Sequence, residues 1–226
     1  MDGAEEARAF PVEFDRGEYS RRKFLKTAAW VTAAISAAGI GGFGVATRFA
    51  GAQDLPTPIA GPTYQGLGDG AILGFALQLE RLEGTFYALG ADSGLFSGPD
   101  LAQVAALRDH EMAHADFLTT TLQSLGAPVP PTPDFTLPPD ALASRGAFLG
   151  LAATLEPVGI GAYQGAAPAI SKSLLGPALS IHNAECQHRC AINILLGIVP
   201  PNDIQFEQSL PFEAVAAAAA PFGVTP

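Results

Sequence analysis

Basic residues are scarce in this sequence, which has 12 Lys and Arg against 22 Asp and Glu and therefore a formal net charge of −10. This acidity argues against nucleic acid and against an anionic membrane surface as partners. Charged residues make up only 15% of the chain while apolar residues make up 48%. That balance allows a substantial hydrophobic core and argues against disorder.

Sequence signals of several common chemistries are also missing. The chain has no Walker loop, no G-x-G-x-x-G, no Ser-His-Asp spacing and no paired CxxC. It lacks an alternating strand pattern of useful length, which favours an all-α fold. Its two cysteines, Cys186 and Cys190, are four residues apart on a predicted helix, a poor geometry for a disulfide. The alternatives are a thiol-rich second site with His182, a redox switch, or buried structural cysteine, which we favour.

Residues 1–52 differ from the rest of the chain. The segment Ser20–Lys26, SRRKFLK, resembles the twin-arginine export signal, and an uncharged run rich in Ala and Gly follows from Thr27 to Thr47. Ala50–Ala52 then offers a signal peptidase site. We predict export through the twin-arginine machinery to the periplasm or another extracytoplasmic location, with the leader removed. The alternative is a retained membrane anchor, because about 20 apolar residues can span a bilayer.

Glutamate and histidine occur together at two places in the remaining chain. Glu111 and His114 form an E-x-x-H step, and Glu185 and His188 repeat it. In a helix these positions lie one turn apart on one face. Apolar residues continue both faces, so these side chains are expected to be buried, where an unpaired charge is costly. A metal ion between the helices would satisfy them.

Each step is preceded by another glutamate on an earlier predicted helix, Glu80 for the first step and Glu156 for the second. Each of these has a tyrosine seven residues later, Tyr87 and Tyr163, two turns along the same face. The chain thus carries a duplicated unit that supplies four carboxylates and two imidazoles. Four negative charges match two divalent cations.

This pattern resembles the ferritin-like di-metal carboxylate proteins, and in particular the exported ferritin-like family that includes the desiccation-related proteins. The segments LERLEGTFYALG, EMAH, LEPVGIGAYQGAA and ECQH carry the resemblance, which covers about residues 66 to 226. It implies an all-α, ferritin-like four-helix bundle with metal ligands facing inward. The ligands are predicted to be Glu80, Glu111, His114, Glu156, Glu185 and His188.

Ligand chemistry gives each of these residues a role. The glutamates of the two E-x-x-H steps would bridge or chelate two metals, each upstream glutamate would bind singly, and each histidine would hold one metal. Carboxylate oxygen with one imidazole per metal suits two iron or manganese ions, and zinc is not excluded. Tyr87 and Tyr163 would hydrogen-bond the ligand carboxylates from outside. The alternative is that they are core tyrosines whose hydroxyls find another polar partner.

Two further polar residues lie beside the predicted ligands. Glu83, one turn after Glu80, is either an additional ligand or proton acceptor or an exposed carboxylate at the edge of the helix face, which we favour. Its counterpart in the second unit is Gly159. His110 points about 100° away from Glu111 on the helix, so we predict a surface residue and not a ligand.

Helix start and stop signals divide the chain into a linker at residues 53–68 and a bundle at residues 69–226. The predicted long helices run from an N-cap at Asp69 to about Leu89, from Pro99 to about Leu125, from an N-cap at Asp140 to about Gly165, and from about Pro177 to Leu196. Pro157 is expected to bend the third helix. A short helix, Phe212 to Ala220, is predicted to cover one end of the bundle.

The segment Ala127–Pro139 contains six prolines and separates the two units. Its 13 residues in a polyproline-like conformation reach about 40 Å, more than the ~30 Å length of a bundle helix. It can therefore run back along the bundle and join helices two and three in parallel, which is the long crossover of a ferritin-like fold.

We expect from these features a di-iron or di-manganese protein that oxidises Fe(II), or consumes oxygen or peroxide, in stress protection outside the cytoplasm. The alternative is a non-catalytic, desiccation-related structural or metal-binding protein whose metal only stabilises the bundle. An iron-storage cage is less favoured because the sequence reveals no assembly surface. A homo-oligomer is an alternative that the sequence does not decide.

Overall fold

The structure of residues 64–226, a computed structural model, is all-helical in that range. The helices are α1 (Asp69–Asp92), α2 (Gly98–Ser124), α3 (Arg145–Ala166), α4 (Lys172–Leu195) and α5 (Phe212–Ala219), followed by a 3-10 turn at Ala220–Phe222. The predicted all-α fold with a short C-terminal helix is confirmed. The predicted export signal and anchor lie outside the described residues. Of the helices between residues 64 and 226, none is long and apolar enough to cross a membrane.

Contacts at the helix ends set the bundle topology. At the start of α1, the Asp69 carboxylate accepts a hydrogen bond of 2.9 Å from the backbone N–H of Ser171, immediately before α4. At the start of α3, Arg145 donates a hydrogen bond of 2.7 Å to Asp100 in the first turn of α2. Helices α1 and α4 therefore start at one end of the bundle and α2 and α3 at the other. It follows that α2 and α3 run parallel.

The connection between α2 and α3 consequently runs back along the bundle, as its prolines predicted. It passes α1, where Arg81 donates a hydrogen bond of 2.7 Å to the carbonyl of Pro130. Further along, the backbone N–H of Thr136 donates to the carbonyl of Phe222 at 3.0 Å. The crossover is thus attached both to α1 and to the C-terminus of the chain.

An aromatic cluster fixes α1 against α3 near the end of the bundle where α1 ends and α3 begins. The rings of Phe86 and Phe148 stack with centroids 4.2 Å apart, and neither side chain is exposed. The edge of Tyr87 meets the Phe148 ring at 6.0 Å. Gly90 makes this contact possible, because a Cβ there would lie 2.2 Å from the ring. The cluster sets the height at which side chains of α1 and α3 face each other.

The C-terminal segment, residues 210–225, packs along the side of the bundle between α1 and α3, so the prediction that the short helix covers one end was wrong. The backbone N–H of Leu210 donates to the carbonyl of Gly161 on α3 at 3.0 Å. On α1, Gln78 donates to the carbonyl of Thr225 at 2.9 Å. The glycines of α3 explain this placement, because a Cβ at Gly161 would lie 2.4 Å from the Leu210 side chain.

Two predicted helix starts also need correction. Helix α3 begins at Arg145, where Ser144 is the N-cap and accepts a hydrogen bond from the N–H of Ala147 at 3.1 Å, so Asp140 is not the cap. Helix α4 begins at Lys172, before Pro177. A proline inside a helix removes one N–H donor and need not end the helix.

The start of the first helix also differs from the prediction, whereas the expected bend at Pro157 of the third helix stays a prediction. Helix α1 includes Asp69 and its N-cap is Gly68, so the predicted cap at Asp69 was wrong; the Asp69 carboxylate binds the turn before α4. Helix α3 stays continuous through Pro157 from its first to its last residue. Glu156 therefore keeps a regular helical position despite the adjacent proline.

Candidate metal centre

Four glutamates, one from each long helix, converge in the middle of the bundle. They are Glu80 of α1, Glu111 of α2, Glu156 of α3 and Glu185 of α4. None is more than 1% exposed. Burial, followed by the charge of Glu185, raises the pKa of Glu80 and Glu156 well above the ordinary value. Four carboxylates buried away from water need positive charge beside them, because a buried charge without a partner is costly.

Two histidines direct their Nδ1 atoms at these carboxylates. The Nδ1 of His114 lies 3.0 Å from Glu80 Oε2 and 3.3 Å from both Glu111 Oε2 and Glu185 Oε1. The Nδ1 of His188 lies 2.7 Å from Glu111 Oε1 and 3.6 Å from Glu185 Oε1. All six predicted ligands are therefore brought together, and Glu111 and Glu185 lie near both imidazoles.

The donor atoms form two overlapping groups, each with its atoms within 4.8 Å of one another. The groups are Glu80, Glu111, His114 and Glu185, and Glu111, Glu156, Glu185 and His188. Two of these buried oxygens, Glu156 Oε2 and Glu185 Oε2, have no hydrogen-bond partner among residues 64–226. Carboxylate oxygen and imidazole nitrogen are ligands for divalent transition metals, so these groups are able to bind a metal ion.

In the metal-free protein, protonated imidazoles supply positive charge beside the carboxylates. Burial lowers the pKa of both imidazoles, but hydrogen bonding to Glu111 and Glu185 outweighs it and raises the pKa of His114 to about 12 and of His188 to about 11. For Glu111, burial raises the pKa, but hydrogen bonds from the two histidines lower it to about 2. Metal binding at these atoms must release the imidazole protons.

We expect the metal-free protein to lose stability as the pH rises from 6 to 9. The imidazole pKa values are raised in the folded state. Their stabilising contribution is complete below the unfolded pKa of about 6.5 and is lost as pH rises towards the folded values. The raised pKa values of Glu80 and Glu156 act in the same direction, while the lowered pKa of Glu111 gives a constant contribution above pH 5. Circular dichroism melts of EDTA-treated protein should show Tm falling by more than about 5 °C.

The metal-loaded protein is the control for this pH series, because bound metal replaces the imidazole protons and removes that source of pH dependence. A Tm of the metal-free protein that stays constant or rises between pH 6 and 9 would contradict the expectation. It would mean that the two imidazoles are neutral among the carboxylates.

The two tyrosine hydroxyls donate hydrogen bonds to carboxylates of the donor groups, each on the opposite helix. Tyr87 of α1 donates a hydrogen bond to Glu156 of α3, and Tyr163 of α3 donates to Glu80 of α1 at 2.5 Å. Burial and the adjacent carboxylate raise the pKa of both hydroxyls well above the ordinary value, so both stay protonated donors. The crossed pair holds two of the carboxylates in place and joins α1 to α3.

Glu83 was predicted to be exposed, and this was wrong. Its side chain is only 3% exposed, and its Oε2 atom has no hydrogen-bond partner in the part of the chain that the structure describes. It fits there because Gly159 faces it, and a Cβ at that glycine would lie 3.5 Å from both Glu83 oxygens. The C-terminal segment also covers this side of α1, which the helical pattern of α1 alone does not reveal. The glycine at the matching position of the second unit was the available signal.

His110 is exposed, as predicted, but it also contacts the site. Its Nδ1 lies 3.0 Å from Nε2 of His188, and the two rings stack with centroids 5.2 Å apart. The other nitrogen of His188 faces the carboxylates, so His110 fixes the orientation of that ring from outside. Sequence reasoning missed this role because the contact joins α2 to α4.

Both cysteines are free thiols in partly buried positions on α4. The sulfur of Cys186 lies 4.0 Å from Nδ1 of His182. Burial raises the pKa of the Cys186 thiol to about 11, so it stays protonated, unlike a thiolate that binds metal or exchanges disulfides. Within residues 64–226, the two groups of the centre are the ones whose side chains have metal-ligand spacing.

Comparison with known proteins adds one match. A family model described as a ferritin-like domain matches residues 68–198, which include α1 to α4 and all six side chains of the two donor groups. No curated protein sequence matches the chain.

Proposed function

The chain belongs to the ferritin-like domain family, and from that premise we propose that it binds two iron or manganese ions and oxidises Fe(II) or consumes oxygen or peroxide. The observation that carries this proposal is the pair of donor groups that share Glu111 and Glu185. Two groups with two common carboxylates suit two adjacent ions better than one. When bound, such a metal pair would supply the electrons or the electron acceptor for these reactions.

The protein side chains hold and shield this centre. Glu111 and Glu185, which belong to both donor groups, would help to hold both ions, and His114 and His188 would each hold one of them. The tyrosines keep the singly bound carboxylates in position through hydrogen bonds. Burial of all four glutamates excludes bulk water and prevents large molecules from reaching the ions.

A small cavity beside Glu83 favours a small substrate. Its volume is about 10 Å³, close to the space that one water molecule needs. Apart from Glu83, it is lined by apolar or small residues: Leu79, Leu82, Leu155, Val158, Gly159, Ala218 and Ala219. The cavity therefore admits a molecule no larger than about one water.

The second candidate is a metal that only stabilises the bundle. It is favoured by the origin of the four glutamates, because one carboxylate from each long helix would let a metal join all four helices. This candidate requires metal binding without turnover. For either candidate, the leader suggests that the protein works outside the cytoplasm after export through the twin-arginine route.

We expect about two iron or manganese ions per chain when the protein is purified without chelator and analysed for elements. Metal-free protein should then oxidise added Fe(II) in air over many turnovers, and protein reloaded with iron or manganese should remove peroxide. Preloading with Zn²⁺, which has no redox chemistry, should block both reactions because it occupies the same ligands. Bound metal without turnover would favour the stabilising role, and a folded protein that binds no metal would refute both candidates.

A further inference from the structure

Glu83 is a fifth buried carboxylate beside the donor groups, and neither the six predicted ligands nor the two donor groups include it. It is 3% exposed, and its Oε2 atom has no hydrogen-bond partner among the described residues. A carboxylate that is buried for structural reasons normally accepts hydrogen bonds, because an unpartnered buried oxygen is costly. The unpartnered Oε2 atom of Glu83 therefore indicates that this carboxylate binds a partner such as a metal ion.

The position of Glu83 directs it to the metal centre. A Cβ at Gly159 would lie 3.5 Å from both Glu83 oxygens and 3.2 Å from Glu185 Oε2, so the two carboxylates lie beside the same glycine. Burial, and then the charges of Glu185, Glu111 and Glu156, raise the pKa of Glu83 well above the ordinary value. Glu83 thus lies in the electric field of the same carboxylates that form the centre.

The duplicated unit shows that Glu83 is an addition. Glu80 and Glu83 lie one turn apart on α1, whereas the matching positions of α3 are Glu156 and Gly159. The two halves of the centre therefore differ by one carboxylate. The glycine leaves room for that carboxylate on the side opposite the histidines.

We propose that Glu83 is a seventh protein ligand of the metal centre and that its charge favours trivalent over divalent ions. This inference rests on the proposed pair of metals. Four carboxylates neutralise two divalent ions, whereas five leave one negative charge with two divalent ions and none with one divalent and one trivalent ion. Glu83 would therefore stabilise the centre in its more oxidised form.

The test uses two ions without redox chemistry, Zn²⁺ and Ga³⁺, so that it does not depend on activity. Metal-free protein is titrated with each ion in competition with nitrilotriacetate, and the ratio of the two affinities is measured. In Glu83→Gln, which keeps the shape and removes the charge, we expect the affinity for Ga³⁺ to fall about tenfold or more relative to Zn²⁺. Glu213→Gln, an exposed glutamate on α5, is the matched control and should leave the ratio unchanged.

A double exchange, Glu83→Gly with Gly159→Glu, tests whether the carboxylate itself matters. It returns the fifth carboxylate from α3, and recovery of Ga³⁺ preference above that of Glu83→Gln would support ligation.

An unchanged affinity ratio in Glu83→Gln would overturn the inference. A changed ratio accompanied by a lower Tm of the metal-free variant would also overturn it, because it indicates a structural role. If the wild type binds neither ion, the proposed function itself fails. If the wild type binds both and only the ratio is insensitive to Glu83, this inference alone fails.

Discussion

Glu111→Ala should abolish metal binding at both donor groups while leaving a folded helical protein. Glu111 is shared by the two groups, and its two oxygens lie 3.3 Å from Nδ1 of His114 and 2.7 Å from Nδ1 of His188. Removing one singly bound carboxylate leaves the other group complete, whereas removing Glu111 leaves both incomplete. We expect metal content to fall from about two ions per chain to nearly none, which is a loss of about 100-fold or more in affinity. Elemental analysis and far-ultraviolet circular dichroism measure the two expected effects.

Glu207→Ala is a suitable control for this substitution. Glu207 is a partly buried glutamate that accepts a hydrogen bond of 2.8 Å from Arg189, and it belongs to neither donor group. It should retain the metal. Full metal content in Glu111→Ala would show that the shared carboxylate is dispensable and would remove the main support for a paired centre. If Glu111→Ala loses Fe(II) oxidation that the wild type shows, the metal is catalytic; if the wild type shows no turnover and the loss of metal only lowers the melting temperature, the metal stabilises the bundle.

The convergence of the six predicted ligands was accessible from the sequence because it depends on local geometry. Glu111 and His114 share a face since they are three residues apart in a helix, and the same holds for Glu185 and His188. The prolines of the crossover indicated the parallel arrangement of α2 and α3 for a similar reason, since chain stiffness and reach are local properties. These features require no knowledge of which side chains meet across the bundle.

Contacts that depend on packing between helices could not be predicted from the sequence. Tyr87 reaches Glu156, and not the glutamate of its own helix, because the relative height of α1 and α3 is set by the aromatic stack of Phe86 and Phe148. The burial of Glu83 depends on a glycine of another helix and on the C-terminal segment. Helical periodicity describes one helix at a time and cannot include such neighbours.

The predicted start of α3 was wrong for a related reason. Asp140 and Ser144 are both good N-cap residues, and the sequence gives no reason to prefer the second. In the structure the carbonyl of Asp140 accepts a hydrogen bond from the N–H of Ala143 in a turn that ends the crossover. The helix can therefore start only after this turn, at Arg145.

Gly165→Ala should destabilise the protein by displacing the C-terminal segment from α3. A Cβ at this position would lie 2.0 Å from the backbone oxygen of Leu210 and 2.9 Å from the ring of Tyr64. Backbone cannot rotate away as a side chain can, so the segment must move off the α1–α3 side of the bundle. We expect a loss of about 2–3 kcal/mol in the free energy of unfolding, measured by urea denaturation. Chymotrypsin should also cut faster at Phe212, which packs on Phe75 at 4.9 Å between ring centroids.

Gly176→Ala is the control for Gly165→Ala, because the same substitution is expected not to destabilise the protein at this position. Gly176 lies inside α4 with no atom within 4 Å of the added Cβ, so alanine there should be neutral or should stabilise the helix by up to about 1 kcal/mol. Equal effects of the two substitutions would mean that the C-terminal segment does not press on Gly165. If only Gly165→Ala is destabilised and it also loses the preference for Ga³⁺ over Zn²⁺, the segment that covers Glu83 contributes to holding that carboxylate at the metal centre. If the preference survives, α1 and α3 hold Glu83 without the cover.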